Sequence, residues 1–514
     1  MSLVLIGSDN LAPALQESGW DVLLCGADKS ADIVMDGPDP EWSEIDKILR
    51  KQAVTVEAVL VCDNIGSRTL CTGLWSCEAP VLFYGVDAPL NFFWQQPYAR
   101  LFDIAALDQK NQAEQITGCH WLPVAIEPDF YKGNMASHPK PAVCFVGVVN
   151  DNIRPKRSAL LNKLARAARL EIEGGRGQNW VSTARAVELY QSCQVSINEN
   201  LFAGVTTRPL EIMASGGCLL TEAAPGQMDT FFIHGQHLYY FNPENLLDNL
   251  NELMTNNDLC IRLGRQGREA VFAGHTFARR VEQINQWLGR TPNKPLKAEQ
   301  ALAWEGESLL MAGLRWPRQE PRRLLRGLGR LEAAAKVLSD SHTWWLLGLG
   351  LAALERWPQC VAALQQAYES GGDEKILPAL SLGLAMYENQ QPQEAHRFLR
   401  QSLDISALPG QAEFHGAAAR VLVEAGREFC PGFNMSGLWP GAWTALEHLT
   451  RAVALSQGDA AKQGPFLAQL GMLLLRHNAP NQAYDCLRAA AHLGVQQAGL
   501  SQACQAAGQQ GYIL

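Results

Sequence analysis

The sequence predicts an α/β half followed by an all-α half: two Rossmann-like domains, then a helical repeat domain. Three observations carry this. Up to about residue 290, short continuous apolar runs alternate with helical patterns, as in parallel sheets buried on both faces. A strand–loop–helix opening occurs twice, at Leu3 and again at Val143. Beyond Pro295 only helix pairs remain, and parts of them recur. A length of 514 residues suits three domains at roughly 150 residues each.

Residues 1–136 open with a strand at Leu3–Ile6, then Gly7-Ser8-Asp9 and a helix with Leu11 and Leu15 on one face and Gly19 as its stop. Trp20–Cys25, Val59–Cys62 and Val81–Tyr84 are further apolar strands. The polar, proline-containing stretch Asn134–Pro141 marks a break. Residues 137–290 restart with Val143–Val146, a loop from Gly147 to Arg154, and a helix opened by Pro155 with Leu160, Leu164 and Ala168 on its apolar face. Val195–Ile197 and Cys218–Leu220 follow, with a helix near Leu210–Ala214 between them. Ligands of such sheets sit at the carboxyl ends of the strands, so a cleft between the two units is the expected site.

The linker Gly289–Pro295 leads to the helical region 297–514. Leu347–Ala352 precedes Trp357-Pro358 and Ala362-Ala363-Leu364, and about 33 residues later Leu380–Ala385 precedes Gln391-Pro392 and Ala395. Leu470–Leu474, Ala479-Pro480 and Ala483 form a third copy. A small residue in the first helix, a proline-marked turn and an alanine in the second match tetratricopeptide-like packing. Residues 404–440, with Pro409-Gly410 and Pro431-Gly432, break the period.

Composition narrows the function. With 47% hydrophobic and 18% charged residues, the chain is not of a disordered class. Forty-three Lys and Arg against fifty-two Asp and Glu give −9, which disfavours non-specific binding of nucleic acid yet leaves room for a local basic site. No apolar run reaches the ~18 residues of a membrane helix. Leu3–Ile6 follows Met1-Ser2 with no basic segment, so no signal peptide is expected. Thirteen scattered cysteines, without zinc spacing, read as small buried residues of a reducing cytoplasm.

The most informative stretch is Thr206–Glu222. Thr206 or Thr207 can cap a helix, and Pro209 suits its first turn. Free amides and the positive dipole end then favour an anion, to which Arg208 adds a fork of donors suited to phosphate. Glu211 can accept from two vicinal ribose hydroxyls; a glutamate in a first turn also simply complements the dipole. Arg154, Lys156 and Arg157 open a helix where phosphate commonly binds, or are solvated surface charges. Gly174-Gly175-Arg176-Gly177 either admits a base or is an ordinary loop. Asp87, past a strand end, is a candidate catalytic base or a cap for the next turn; Asp9 is similar. Phe92, Phe93, Trp94 and Tyr98 stack on a sugar or belong to the core. His120 reads as a core histidine, His234 and His237 as turn residues. Arg315, Arg318, Arg322, Arg323, Arg326 and Arg330, near Trp316, form either a patch for an acidic partner or the inner membrane face, or a helix face docked on the acidic remainder.

Asn198 to Glu222, continuing through Gly226 and Asp229 to Phe231-Phe232-Ile233-His234-Gly235, resembles the carboxyl-half signature of GT-B glycosyltransferases of the CgeB (spore maturation) type, akin to glycosyltransferase family 4. Cys144–Gly147 with Lys156-Arg157, and His275–Arg280, extend the likeness. Phe83-Tyr84 with Asp87 and Pro89, and Leu122–Ala125, resemble the amino half. Coverage is roughly residues 1–290. The resemblance implies a GT-B fold and a nucleoside-diphosphate sugar as donor, with no cofactor and no metal. It implies that Glu211 grips the ribose, that Arg208, Arg154, Lys156 and Arg157 neutralise the diphosphate, and that Gly226 and neighbours such as Gln227 bring amides close. Thr206, Thr207 and Gly147 complete the donor set, and Arg208 would also stabilise the leaving group.

There are departures. Family 4 enzymes often carry a second glutamate eight positions before the ribose-binding one; here that position is Ala203, and Glu199 is twelve back. Gly7-Ser8-Asp9 is not the glycine-rich loop of many relatives. The analogy tilts toward retention of configuration and leaves the sugar open. The expected function is transfer of a sugar to an acceptor hydroxyl, on a protein bound by the helical repeats or on a cell-surface glycan. An inactive nucleotide-binding scaffold, and a sugar-nucleotide epimerase, are the alternatives.

Overall fold

The structure is a computed structural model. It describes all residues except 38, 64–68, 132, 134–138, 153, 175–180, 201, 203, 290–295, 316–320, 373–374, 431–443 and 514. Ala203, Trp316, Arg318, Gly175-Arg176-Gly177, Pro431-Gly432, most of the 289–295 linker and most of the 134–141 break therefore lie outside the described residues.

The predicted order holds: two parallel α/β sheets, then helices alone. The first sheet contains β1 (Ser2–Gly7), β2 (Asp21–Gly26), β3 (Ile33–Val34), β4 (Val56–Cys62), β5 (Val81–Gly85), β6 (Ile104–Leu107) and β7 (His120–Trp121). Its order is 3-2-1-4-5-6-7, with every pair parallel. The second contains β8 (Lys140–Val146), β9 (Leu170–Glu173), β10 (Cys193–Asn198), β11 (Leu219–Glu222) and β12 (Tyr239–Phe241), in the order 12-11-10-8-9. The central strands are closed to water on both faces, which is why they read as unbroken apolar runs. The strand order reverses between β1 and β4 in one sheet and between β8 and β10 in the other. Those gaps are where doubly wound sheets hold ligands.

The chain crosses between the sheets twice. Ile126 bridges Thr276, and Arg280 clamps the outgoing segment by donating to the carbonyl of Pro123 at 2.6 Å. The helix Phe277–Leu288 then returns to the first sheet, burying Val281 and Ile284 beside Leu11 and Leu15.

From Ala298 onward the described residues form eleven helices that pack as successive neighbours except at one step, where Ala412–Glu424 touches Ile376–Glu388 rather than Pro392–Leu403. In three pairs a glycine of the first helix receives a leucine sixteen positions later. A side chain at Gly348, Gly383 or Gly471 would run into Leu364, Leu399 or Leu487 respectively. These are the three copies read from the sequence. The break at 404–440 contains a helix after all, Ala412–Glu424, which packs on Ala445–Leu455.

Three of the six arginines, Arg323, Arg326 and Arg330, are engaged within the chain, as a docked helix face requires. Arg323, 1% exposed in its side chain, meets both carboxylate oxygens of Asp39; Arg326 binds the Asp39 carbonyl and Glu41; Arg330 binds Glu41. Glu305 of the helical half accepts the Gly73 amide. Opposite charges, buried at Arg323 and Asp39 and partly exposed at Glu41, thus fasten the helices to the first sheet unit. At the other end, the helix Pro480–His492 touches the helix Pro155–Ala167, and Tyr512 is buried among residues of the second unit.

Candidate functional site

The helix Thr207–Ala214 starts at the carboxyl edge of the second sheet. Thr206 takes the cap position with extended backbone, and its side chain makes no capping hydrogen bond. Thr206 and Thr207 are exposed, so the start of the helix is open to solvent. Arg208 lies across the gap between β8 and β10: its Nε donates to the carbonyl of Val146 at 2.9 Å and its Nη1 to Oδ1 of Asn198 at 3.0 Å. The guanidinium rests over the Phe145 ring at 4.8 Å. Burial, then repulsion by Arg157, lowers its pKa to about 10. Gly147 has φ +145°, and a side chain there would strike the Arg208 guanidinium.

Glu211 stands one turn further on. Burial pushes its carboxyl up and Arg208 pulls it down. Its carboxylate makes no hydrogen bond or ion pair among the described residues. Tyr131 and Tyr190 are close enough to sense its charge. A half-buried acceptor with spare lone pairs, beside a fixed cation, is suited to a diol.

The other basic candidates divide. Arg157 is buried, donates to Glu199 at 3.0 Å and to the Val148 carbonyl at 3.0 Å, and so holds the strand ends together. Glu199, which sequence spacing set aside, is its counter-ion. Lys156 pairs with Glu222 at 2.7 Å with both side chains partly accessible. Arg154 feels Arg157, Glu199 and, from the opposite sheet, Asp87, and burial lowers its pKa.

Asp87 ends β5 in the left-handed region, φ +50°. It does not cap the helix Ala88–Ala99. Asp108, at the end of β6, does so, accepting the amides of Asp87 at 2.9 Å and Ala88 at 3.0 Å. Desolvation raises the Asp108 carboxyl to about 7. Asp87 at the carboxyl edge of the first sheet is thus close enough to Arg154 on the second for their charges to interact.

Other candidates fall elsewhere. Trp94 and Tyr98 are wholly buried, stacking with Phe83 and Phe102, so they do not receive a sugar; Phe92 and Phe93 pack against the same core. Gln227 is buried and donates to Asn111 at 2.9 Å, tying the two units together. Gly226, φ +77°, is exposed at a turn with open space where a side chain would be. His120 is partly exposed and stacks on Trp287, while His234 and His237 accept main-chain amides in a surface turn. Sequence reasoning missed Asp108, Gln109, Glu222 and Tyr512. Their roles depend on partners 20 to 290 positions away, for which no local pattern exists. No described helix is long and apolar enough to cross a membrane.

Residues 154–286 match a family model described as glycosyl transferase-like. Among solved structures, the chain is similar to a sucrose-phosphate synthase from Thermosynechococcus elongatus at 11% identity and a TM-score of 0.40, over 56% of this chain and 99% of that one. It is similar to a glycosyltransferase from Rickettsia africae at 11% identity and a TM-score of 0.39, over 57% and 99%. Anabaena HepE, solved with UDP-glucose, aligns at 11% identity and a TM-score of 0.35, over 56% and 99%. No curated protein matches. The likeness thus falls on the second sheet unit, from the arginine that opens its first helix to the return helix.

Proposed function

We propose that the protein transfers a sugar from a nucleoside-diphosphate sugar to an acceptor hydroxyl, as an enzyme of the CgeB-type GT-B group akin to family 4, and without a metal. The carrying observation is Glu211: a partly buried carboxylate with free lone pairs, one turn from Arg208 at the gap where the second sheet's order reverses. Glu211 accepts from the two ribose hydroxyls. The exposed helix start at Thr206 and Thr207, with Arg154 and Lys156, neutralises the diphosphate. Arg208 fixes the floor of the site and adds its charge from below. The acceptor oxygen bonds to the anomeric carbon as the bond to the diphosphate oxygen breaks, and the acceptor proton passes to Asp87 or to the departing phosphate. Family analogy favours retention. The helical region offers its surface to the acceptor, a protein or a cell-surface glycan.

Calorimetry with UDP-, GDP- and ADP-sugars tests this. One of them binds with a Kd below 1 mM, chelation by EDTA leaves the affinity unchanged, and Glu211→Ala weakens it by a factor of about 100, the worth of two charge-assisted hydrogen bonds. Absence of binding to every donor would overturn the reading. Tight binding without transfer or hydrolysis would favour the inactive scaffold.

A further inference from the structure

We infer that the end of the helical half completes the donor site, with Tyr512 a positioning residue that sets Lys156 through Glu222. This deepens the proposed function and, for its ligand, rests on it. Tyr512 donates its hydroxyl to Oε1 of Glu222 at 3.0 Å. The same oxygen holds the Lys156 ammonium at 2.7 Å, and Lys156 lies 6.0 Å from the centre of the Tyr512 ring. Oε2 of Glu222 accepts the Asn200 amide at 3.2 Å. Asn198 then donates to Oδ1 of Asn200 at 2.9 Å, and its own Oδ1 receives Arg208. An unbroken series of hydrogen bonds therefore runs from the last helix pair to the arginine at the floor of the cleft.

The placement is built in. Tyr512 is 5% exposed, packs near Phe241 at 6.5 Å between ring centres, and holds a left-handed φ of +58°, which a tyrosine adopts only when its surroundings impose it. Burial, followed by the charge of Glu222, pushes the phenol up, so it stays protonated and remains a donor. Glu199 and Glu244 are the other acidic groups that it senses.

The chemistry gives the direction. With the phenol hydroxyl on Oε1, the carboxylate's charge is shared, and the ammonium is held in place yet able to turn to a phosphate oxygen. Without the hydroxyl, Lys156 is the sole partner of Oε1 among the described residues; the ion pair tightens and the lysine is less available.

Two measurements on the full chain test this separately. The first is the rate of Lys156 acylation by a trace of acetic anhydride at fixed pH, read by mass spectrometry, which needs no nucleotide. Tyr512→Phe lowers the rate at pH 8 about threefold, because the tightened ion pair keeps the amine from the reagent. In a Glu222→Gln background the same substitution has no effect, because the intermediary is gone. The second is calorimetry with UDP, GDP and ADP: the nucleotide that the wild type binds is held about fivefold more weakly by Tyr512→Phe, one hydrogen bond's worth. An unchanged Lys156 rate, an effect that persists in Glu222→Gln, or a tighter nucleotide complex in Tyr512→Phe would each overturn the inference; the last would make the tail a competitor of the ligand. A wild type that binds none of the three nucleotides, with Lys156 shifted as expected, would instead count against the proposed donor site.

Discussion

Gln109 and Val205 pair across the two sheet units as two strands would. The side-chain Nε2 donates to the Val205 carbonyl at 2.8 Å, and Oε1 accepts the Val205 amide at 3.0 Å. Both residues are buried, and Gly204 leaves the room: a side chain there would collide with the Gln109 amide. The loop that leads into the donor-side helix therefore hangs from the first sheet. Gln109 also donates to Asp108, which shapes the turn at Asp87.

Gln109→Ala leaves the Val205 amide and carbonyl buried without partners. We expect a loss of about 2 kcal/mol in denaturant unfolding, in line with orphaned buried polar groups. Gly204→Ala displaces the same amide from the other side and shows a similar loss, while Gly204→Ala added to Gln109→Ala costs clearly less than the sum. Additive effects would show that the two sites do not share one contact.

The two neighbouring cations Lys156 and Arg157 respond differently to removal. Arg157→Met strands Glu199, whose side chain is 2% exposed, and costs on the order of 3 kcal/mol. Lys156→Met leaves Glu222 with Tyr512 and Asn200 and with access to water, so its cost stays below about 1 kcal/mol. Replacing both members, Arg157→Met with Glu199→Met, recovers most of the first loss. Chemical denaturation of the four variants checks this.

A pair of histidines makes the helical half sensitive to acid. His415 and His448 are buried with their Nδ1 atoms 3.0 Å apart, so one donates and the other accepts. Burial, with Arg451 beside the first and His415 beside the second, lowers them to about 4 and about 3. Both are below the unfolded value of 6.5, so their stabilisation is complete above pH 6.5 and drains away as pH falls toward 4. Thermal melting followed over that range should show a falling Tm, and the slope should flatten in the His415→Leu, His448→Leu double variant.

The glycine–leucine fit of the helix pairs predicts a reciprocal rescue. Gly383→Ala forces its methyl into Leu399 and costs about 1–3 kcal/mol, as overpacking does. Shortening the leucine in the same chain, Leu399→Val, returns part of it. Gly329, which has open space around it, tolerates alanine and gains helix propensity.

The sequence displayed the sheets because doubly buried strands leave unbroken apolar runs, as at Val59–Cys62 and Val143–Val146. Strand β6, Ile104–Leu107, is equally buried yet escaped notice, since two of its four residues are alanines and the run is short. Thr206 to Glu211 could be read locally because a helix start, a guanidinium and a carboxylate three positions on carry their geometry with them. Asp108 could not. Its function as the cap of the helix after Asp87 depends on the pairing of β5 with β6, a tertiary fact. The arginines at 323, 326 and 330 were legible as a charged face, but whether that face meets solvent, a partner or Asp39 is decided by where the helix lands.

The helical half starts on one lobe, through Arg323 and Asp39, and finishes on the other, through Tyr512 and Glu222. The polypeptide is thereby a closed circuit with the cleft set into its circumference. The width of the gap and the span of the described helices between those two anchors are therefore linked.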